Sequence, residues 1–507
     1  MAMAIRLLMG SKLPTTPALL YLVYEGDVEK DPILKEIDKK AQGYVFAKLN
    51  KREFKGKKGQ KVSFENCAGY EAIYIAGLGA KEKFKPLTFK NEIANAVRGA
   101  GMRKIEALGV AFQKIGLDDF ILGKIIAEGL TLGNYYFDKY KSAKDKAKYS
   151  QVKEAEVVGE KINALDFESG TKYGLLVADG VVLARDLVNE PASAKTPNDL
   201  VKVARDIVKN SKGSVSVQIL GRAECEKLGM EAYLGVARGS DKEPQFIILH
   251  HKGSAKPKKT ICVIGKSITF DSGGLSLKPA SAMEDMKLDM AGGAAVLGVF
   301  SALSQLDDKV AQSFSDIEIY GILPACENMP FTNAQKPGDI VRAMNGKTIE
   351  VLNTDAEGRL ALADALSYAE AHIKPDIMID LATLTGACMV ALGTDLAGLF
   401  GTDSTIIKNY QDVANQEGDH VWPLPLYKPY AKLMKSDIAD LKNISKAGYG
   451  GAITAAVFLK EFVNHAKWIH VDIAGPSFHK GAVGGILSGG ATGWGVASVL
   501  EFVRTIK

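Results

Sequence analysis

Residues 259–274 read KTICVIGKSITFDSGG. An almost unbroken apolar run, closed by a glycine before charged residues begin, is the pattern of a strand covered on both faces. The pattern returns in IEIYGILPA (317–325), TIEVLN (348–353), DIMIDLATL (376–384) and WIHVDIAG (468–475). Between these runs lie MAGGAAVLGVFSALSQL (290–306), GRLALADALSYAEAHI (358–373) and TGWGVASVLEFVRTI (492–506), all with helical apolar spacing. Strands alternating with helices predict an α/β domain on a mixed, mostly parallel sheet covered by helices.

Upstream the same alternation runs on a smaller scale. ALLYLVYEGD (18–27), GYVFAKL (43–49), EAIYIAGLG (71–79) and KIEALGVAF (104–112) read as strand-like runs, and DDFILGKIIAEGLTLGNYYFDKY (118–140) as a helix. They make a small N-terminal α/β domain over residues 1–166. Residues 167–189, FESGTKYGLLVADGVVLARDLVN, read as one linker helix that stops before Glu190-Pro191. The larger domain then takes residues 190–507, and a chain of 507 residues is long enough for two cores.

Hydrophobic residues make up 47% of the chain and charged ones 24%, as in a soluble globular protein. The formal charge of +5 is spread along the sequence and names no nucleic-acid partner. Cys67, Cys225, Cys262, Cys326 and Cys388 lie far apart with no CxxC pair, which fits reduced thiols and a cytoplasmic location. Arg6 interrupts the apolar start MAMAIRLLMGSK and no cleavage pattern follows, so no signal peptide is expected. No apolar stretch is read as long enough to span a bilayer.

In open α/β sheets the ligand site lies beyond the carboxyl ends of the strands. That rule gathers Lys266 to Lys278, with Asp271 between them, Thr354 to Arg359, and Thr383 to Gly386; MEDMKLDMAGG brings Asp285 and Asp289 near. Asp271, Asp289, Asp355 and Glu357 then crowd one place, and carboxylates so close need cations. Oxygen-rich ligation suits Mg²⁺, Mn²⁺ or Zn²⁺, and two ions bridged by shared carboxylates point to hydrolysis. The seven histidines show no HExxH or comparable spacing, so a histidine-built zinc site is not expected. Taken singly, each residue has a bland reading: Asp355 or Asp289 as a helix cap or solvated loop, Lys266 and Lys278 as surface charges, Asp271-Ser-Gly-Gly as a turn.

VIGKSITFDSGGLSLKP (263–279), MKLDMAGGAA (286–295), ENMPFTNAQKPGDIVRAMNGKTIEVLNTDAEGRLALADAL (327–366) and LATLTGA (381–387) closely resemble the leucyl aminopeptidase family, the cytosolic two-metal exopeptidases; NTDAEGRL (353–360) is that family's signature octapeptide. GVARGSDKEPQFIIL (235–249) and the closing GGATGWGVASVLEFV fit as well. The resemblance implies a tight metal site of Lys266, Asp271, Asp289 and Glu357. It implies a second, more exchangeable site of Asp271, Asp355 and Glu357 with the Asp355 main-chain oxygen. The ions it implies are Mn²⁺ or Zn²⁺, with Mg²⁺ as a third candidate, and it implies a bridging hydroxide that attacks the first peptide carbonyl. The catalytic residues implied are Lys278, which stabilises the oxyanion, and Arg359, which holds a bicarbonate proton shuttle. Met286, Thr383, Leu384, Gly386 and Ala491 are implied to bind the substrate's first side chain, with Leu, Met or other bulky apolar residues preferred. A homohexamer, a dimer of trimers acting on peptides in the cytoplasm, completes the expectation.

Two positions depart from the family pattern. Ser267 stands where glycine usually follows the ligand lysine, which raises the question of backbone geometry beside Lys266. Ala491 stands where some members carry a larger residue. Three other readings compete: a two-metal phosphoesterase, which Lys266 as a ligand fits poorly; an added DNA-binding or architectural role resting on the basic run KREFKGKKGQK (51–61), whose blander reading is a solvated loop; and an inactive scaffold, disfavoured because every metal and catalytic position is filled.

Overall fold

Side chains along strand Ala18–Val23 point alternately to two cores, which makes this strand the inside of a sandwiched sheet. Leu20 and Leu22 pack with Phe89, Ile93, Ile125 and Ile126; Leu19, Tyr21 and Val23 pack with Leu34, Ile37, Val45 and Leu49. The computed structural model describes residues 3–9, 13–113, 115–159, 161–254, 256–481 and 484–506. The chain divides into two units, residues 1–178 with 482–488, and residues 179–481 with 489–507. Helix Ala164–Asn189 starts earlier than the expected 167, and the division falls inside it.

In the first unit the strands run Ala4–Met9, Glu154–Gly159, Ala107–Phe112, Ala18–Val23, Tyr70–Gly77 and Lys61–Cys67 across one sheet. All neighbours are parallel except the last pair. GYVFAKL is a helix, not a strand: Tyr44–Lys51 buries Val45 and Leu49, four apart on one face. A seven-residue apolar run is too short for periodicity to separate the two forms, and here the i, i+4 pair decides. The basic run closes as a turn, with Lys55 N and Lys57 N donating to Gln60 Oε1 and Gln60 Nε2 donating to Glu53 O.

In the second unit Lys467–Asp472, Ile377–Ala382, Lys259–Gly265 and Ile317–Asn328 lie side by side and parallel. They are the middle of a nine-stranded mixed sheet. Helix Gly358–Tyr368 covers one face, where Leu360 and Ala361 join Cys262, Ile264, Met378 and Trp468 in one core. Helix Ala291–Leu303 packs against the central strands as well. TIEVLN does not enter this sheet. Thr348–Glu350 pairs with Ile340–Arg342 and Leu441–Lys442 in a separate three-stranded sheet, because the Asn345-Gly346 turn folds it back on its neighbour first. Residues 280–303 have the length and composition of a membrane span, contrary to the reading of the sequence, yet 78% of the apolar window is buried inside the protein. It is interrupted at 284–290, between the short helix Ala280–Met283 and Ala291–Leu303, and serves as core.

His251, at the end of strand Gln245–His251, is buried, and burial with His250 beside it lowers its pKa to about 4. The folded chain therefore holds this ring neutral where the unfolded chain, with an ordinary histidine, takes up a proton. The associated stability is present above about pH 6.5 and is lost as pH falls towards 4. His251→Leu should gain on the wild type by up to about 3 kcal/mol between pH 8 and pH 4 in urea unfolding. A constant difference across that range would show that the ring titrates normally.

Candidate metal centre

Register assembles the site. Gly265 lies beside Leu381, and Ala382 beside Asp472, so Lys266, Thr383 and Asp472 emerge together from the carboxyl ends of three adjacent parallel strands. Strand Ser267–Asp271 continues along Ile317–Asn328 and sets Asp271 opposite Asn328. Asp289 follows a one-turn 3-10 helix, Met286–Leu288, and Glu357 directly precedes helix Gly358–Tyr368.

Asp271, Asp289 and Glu357 are all buried, and each offers a carboxylate oxygen within 4.8 Å of the others. Lys266 Nζ lies 2.8 Å from Asp289 Oδ1 and 2.8 Å from Glu357 Oε1, and it donates to Thr383 O at 3.0 Å. Thr383 Oγ1 donates to Asp289 Oδ1 at 2.7 Å. Lys278 Nζ faces Asp271 Oδ2 at 2.8 Å and pairs with Asp355 on its other side. Lys266, Asp271, Asp289, Asp355, Glu357 and Lys278 thus form one continuous cluster of four carboxylates and two ammonium groups.

Burial opposes the charge on Lys266, but Asp289, Glu357 and Asp271 outweigh it and hold the ammonium above its ordinary range. Lys278 is raised in the same way against burial, by Asp271 and Asp355. Burial pushes Asp289 and Asp271 up, and Glu357 adds repulsion to both while the lysines pull back. Among the described residues neither oxygen of Glu357 has a hydrogen-bond partner, although both are buried and Oε1 faces the Lys266 ammonium at 2.8 Å. Buried carboxylate oxygens that converge, with Glu357 Oε2 given no donor among the described residues, fit divalent cations.

NTDAEGRL is a turn entering a helix and does not follow directly from a strand of the central sheet as expected. Gly358 is fixed by contact, because a Cβ there would stand 2.3 Å from Lys266 Cε. Arg359 is buried; its Nη1 donates to Asn443 O at 2.7 Å, and its Nε has no hydrogen-bond partner among the described residues. Burial lowers its pKa to about 10, against Glu357 and Asp472. A cavity of about 540 Å³ opens beside it, lined among others by Ala387, Val390, Leu424, Ile444 and Tyr449. Met286 opens the 286–288 turn, Leu384 N donates to Asp472, Gly386 begins helix Gly386–Leu392, and Ala491 is buried in the short strand Gly490–Ala491. None of Met286, Thr383, Leu384, Gly386 and Ala491 lines that cavity. Asp285, grouped with Asp289 from the sequence, instead pairs with Lys480 at 2.6 Å.

Three residues not singled out in the sequence reading, Asn328, Asn443 and Asp472, hold the site in shape together with Thr354. Asn328 Nδ2 donates to Asp271 Oδ1 and to Thr354 O. Thr354 Oγ1 donates to Gly273 O. Asn443 accepts from Leu352 N and donates to Asn353 O. Asp472 accepts from Leu384 N, Thr385 N and Thr385 Oγ1. Asn328 and Asp472 are marked only by their position at the ends of central strands.

Ser267 is accommodated. Its hydroxyl donates to Gly265 O at 2.8 Å and lies where a Cβ on Gly293 would come within 2.1 Å. Gly293→Ala should therefore destabilise by about 1–3 kcal/mol, and Ser267→Gly in the same chain should recover most of it, as read by urea unfolding. Absence of recovery would move the clash to Leu323 Cδ2, 3.2 Å away.

Comparison with known proteins adds an independent line. Residues 182–500 match the catalytic domain of the cytosol aminopeptidase family, and residues 22–144 its N-terminal domain. A probable cytosol aminopeptidase of Aquifex aeolicus is 40% identical over 488 residues, covering 96% of this chain and 94% of the relative. Another, from a Cyanothece species, is 41% identical over 484 residues, 95% of each. Among solved structures, a mutant tomato leucine aminopeptidase aligns with a TM-score of 0.89 at 34% identity, over 99% of this chain and 97% of that one. The bottromycin maturation enzyme BotP in complex with Mn aligns with a TM-score of 0.82 at 30% identity, over 96% and 99%.

Proposed function

From the premise that this chain belongs to the cytosol aminopeptidase family, we propose that it releases the first residue of peptides at a two-metal site, preferring Leu, Met and other bulky apolar residues. It is a metal-dependent aminopeptidase. The observation that carries the finer reading is the buried convergence of Asp271, Asp289 and Glu357 with Lys266 against two of them. Lys266, Asp271, Asp289 and Glu357 would hold one ion; Asp271, Asp355 and Glu357 would hold the other. Mn²⁺ and Zn²⁺ are the candidates, with Mg²⁺ third, and the Mn of the BotP structure supports the first. When bound, such ions activate a water and polarise the carbonyl under attack.

The chain's own groups do the rest. Lys266 must give up a proton at Nζ to become a ligand, so loading the site releases a proton. The Lys278 ammonium, already oriented between Asp271 and Asp355, stabilises the oxyanion that develops on the carbonyl. Arg359, anchored through Nη1, keeps Nε for an anion, and bicarbonate there would supply the proton relay. Met286, Thr383, Leu384, Gly386 and Ala491 would bound the pocket for the first side chain, with methionine lending it tolerance of shape. The organisation proposed is an N-terminal domain at 1–166, a linker helix at 167–189 and a catalytic domain at 190–507, in a cytoplasmic homohexamer. The relatives' description as cytosol aminopeptidases supports the location. The phosphoesterase and DNA-binding readings are not favoured, since both domains match aminopeptidases.

The test is hydrolysis of leucine p-nitroanilide by chelator-stripped protein titrated with Mn²⁺, Zn²⁺ and Mg²⁺. Stripped protein should be inactive, and activity should return with metal. Metal-independent hydrolysis, or none with Leu or Met substrates under any ion, would remove the two-metal reading.

A further inference from the structure

Lys195 is 1% exposed, and its ammonium donates to a main-chain oxygen, that of Lys287. Burial, with Lys287 adding repulsion, lowers its pKa to about 7 against the pull of Asp289 and Glu190. Removing a lysine from water to bind a carbonyl is costly, so it makes little sense as a stabilising device. Its base is rigid: Thr196 caps helix Pro197–Asn210 in a reciprocal box with Asp199. The group therefore fixes where Lys287 lies.

Lys287 is tied a second time. Its Nζ donates to Asn189 O at 2.7 Å, and Asn189 Oδ1 accepts from Ala491 N at 3.0 Å. One residue, Asn189, buried at the end of the long helix, thus holds both the 286–288 turn and the strand that carries Ala491. These are the segments that carry Met286 and Ala491.

We propose that Lys195 and Asn189 are specificity-positioning residues, setting the separation of the Met286 and Ala491 walls and so the size of side chain accepted. This rests on the reading that those two residues line the pocket for the substrate's first side chain. Neither Lys195 nor Asn189 need touch substrate. A wall displaced by even a fraction of an ångström changes burial of the side chain, which acts mainly through binding.

The experiment compares Lys195→Met, Lys195→Gln and Asn189→Ser with wild type on the p-nitroanilides of Ala, Leu and Phe, with KM and kcat resolved and thermal melts confirming folding. Ala491→Leu probes the pocket directly. Lys195→Met and Asn189→Ser should each change the Phe-to-Ala ratio of kcat/KM by at least about 5-fold, mainly through KM, and Lys195→Gln, which keeps a donor, should change it less. Should one variant fail to fold, the other decides. Ratios within about 2-fold of wild type in these variants, with Ala491→Leu shifting selectivity, would overturn the inference and leave the pocket reading standing. A kcat loss equal on all three substrates would overturn it as well. An inactive wild type, or no shift with Ala491→Leu, would overturn both together.

Discussion

Glu357→Gln should lower kcat/KM for leucine p-nitroanilide by about 1,000-fold or more, since the change removes a donor shared by both proposed ions. Metal content measured after dialysis should fall in parallel. Stability of the metal-free protein should behave differently. Glu357 raises the pKa of both Asp271 and Asp289 by repulsion, so a neutral amide relieves strain within the cluster. Lys266 keeps Asp289 as a partner. The metal-free melting temperature should therefore hold or rise, while the increment gained on adding Mn²⁺ shrinks. Together these outcomes separate a carboxylate kept for function from one kept for the fold. Full activity in the Gln variant, or a large drop in metal-free stability with metal content intact, would mean that Glu357 is structural.

Part of that cluster is legible in the sequence because Lys266 and Asp271 sit on or directly after apolar strands, and strand ends converge in an open α/β sheet. Lys266 follows Lys259–Gly265, and Thr383 follows Ile377–Ala382. The rule reached Glu357 for a partly mistaken reason. Thr348–Glu350 is not a strand of the central sheet, and what sets Glu357 in place is its position at the start of Gly358–Tyr368, held close to Lys266 by a glycine. The supporting residues were not legible, for a different reason. Asn328 and Asp472 lie 57 and 87 positions from the groups they hold, and Asn443 lies 90 from Asn353. An asparagine or aspartate at the end of an apolar run looks the same whether it faces solvent or a loop, and only sheet register tells them apart. GYVFAKL shows the same limit at short range: its helix depends on which face finds a core.

Asp472→Ala should be the most damaging change outside the cluster itself. Its carboxylate is the acceptor for Leu384 N at 3.2 Å, Thr385 N at 3.4 Å and Thr385 Oγ1 at 2.6 Å, all within the turn that follows Thr383. Thr383 in turn touches Lys266 through its carbonyl and Asp289 through its hydroxyl. Alanine would leave buried donors without an acceptor, at about 1–3 kcal/mol each when not relieved by water. It would also let the turn drift, and kcat/KM should fall by about 100-fold, the scale seen when a group that orients a metal-site residue is lost. Asp472→Asn should cost nearer 10-fold, because an amide oxygen can still accept from the two main-chain groups. The remaining loss is specific to the hydroxyl. The Asp472 carboxylate only accepts, so Thr385 Oγ1 gives it its proton while accepting from Cys388 N at 3.0 Å, and an amide nitrogen in that place cannot receive that proton. Thr385→Val should then add little to Asp472→Asn in a double-mutant cycle, whereas the two should add fully if they act apart. Activity within about 2-fold of wild type in Asp472→Ala would mean that the turn is held without it, and that the path from Asp472 through Thr383 to Asp289 carries no mechanical role.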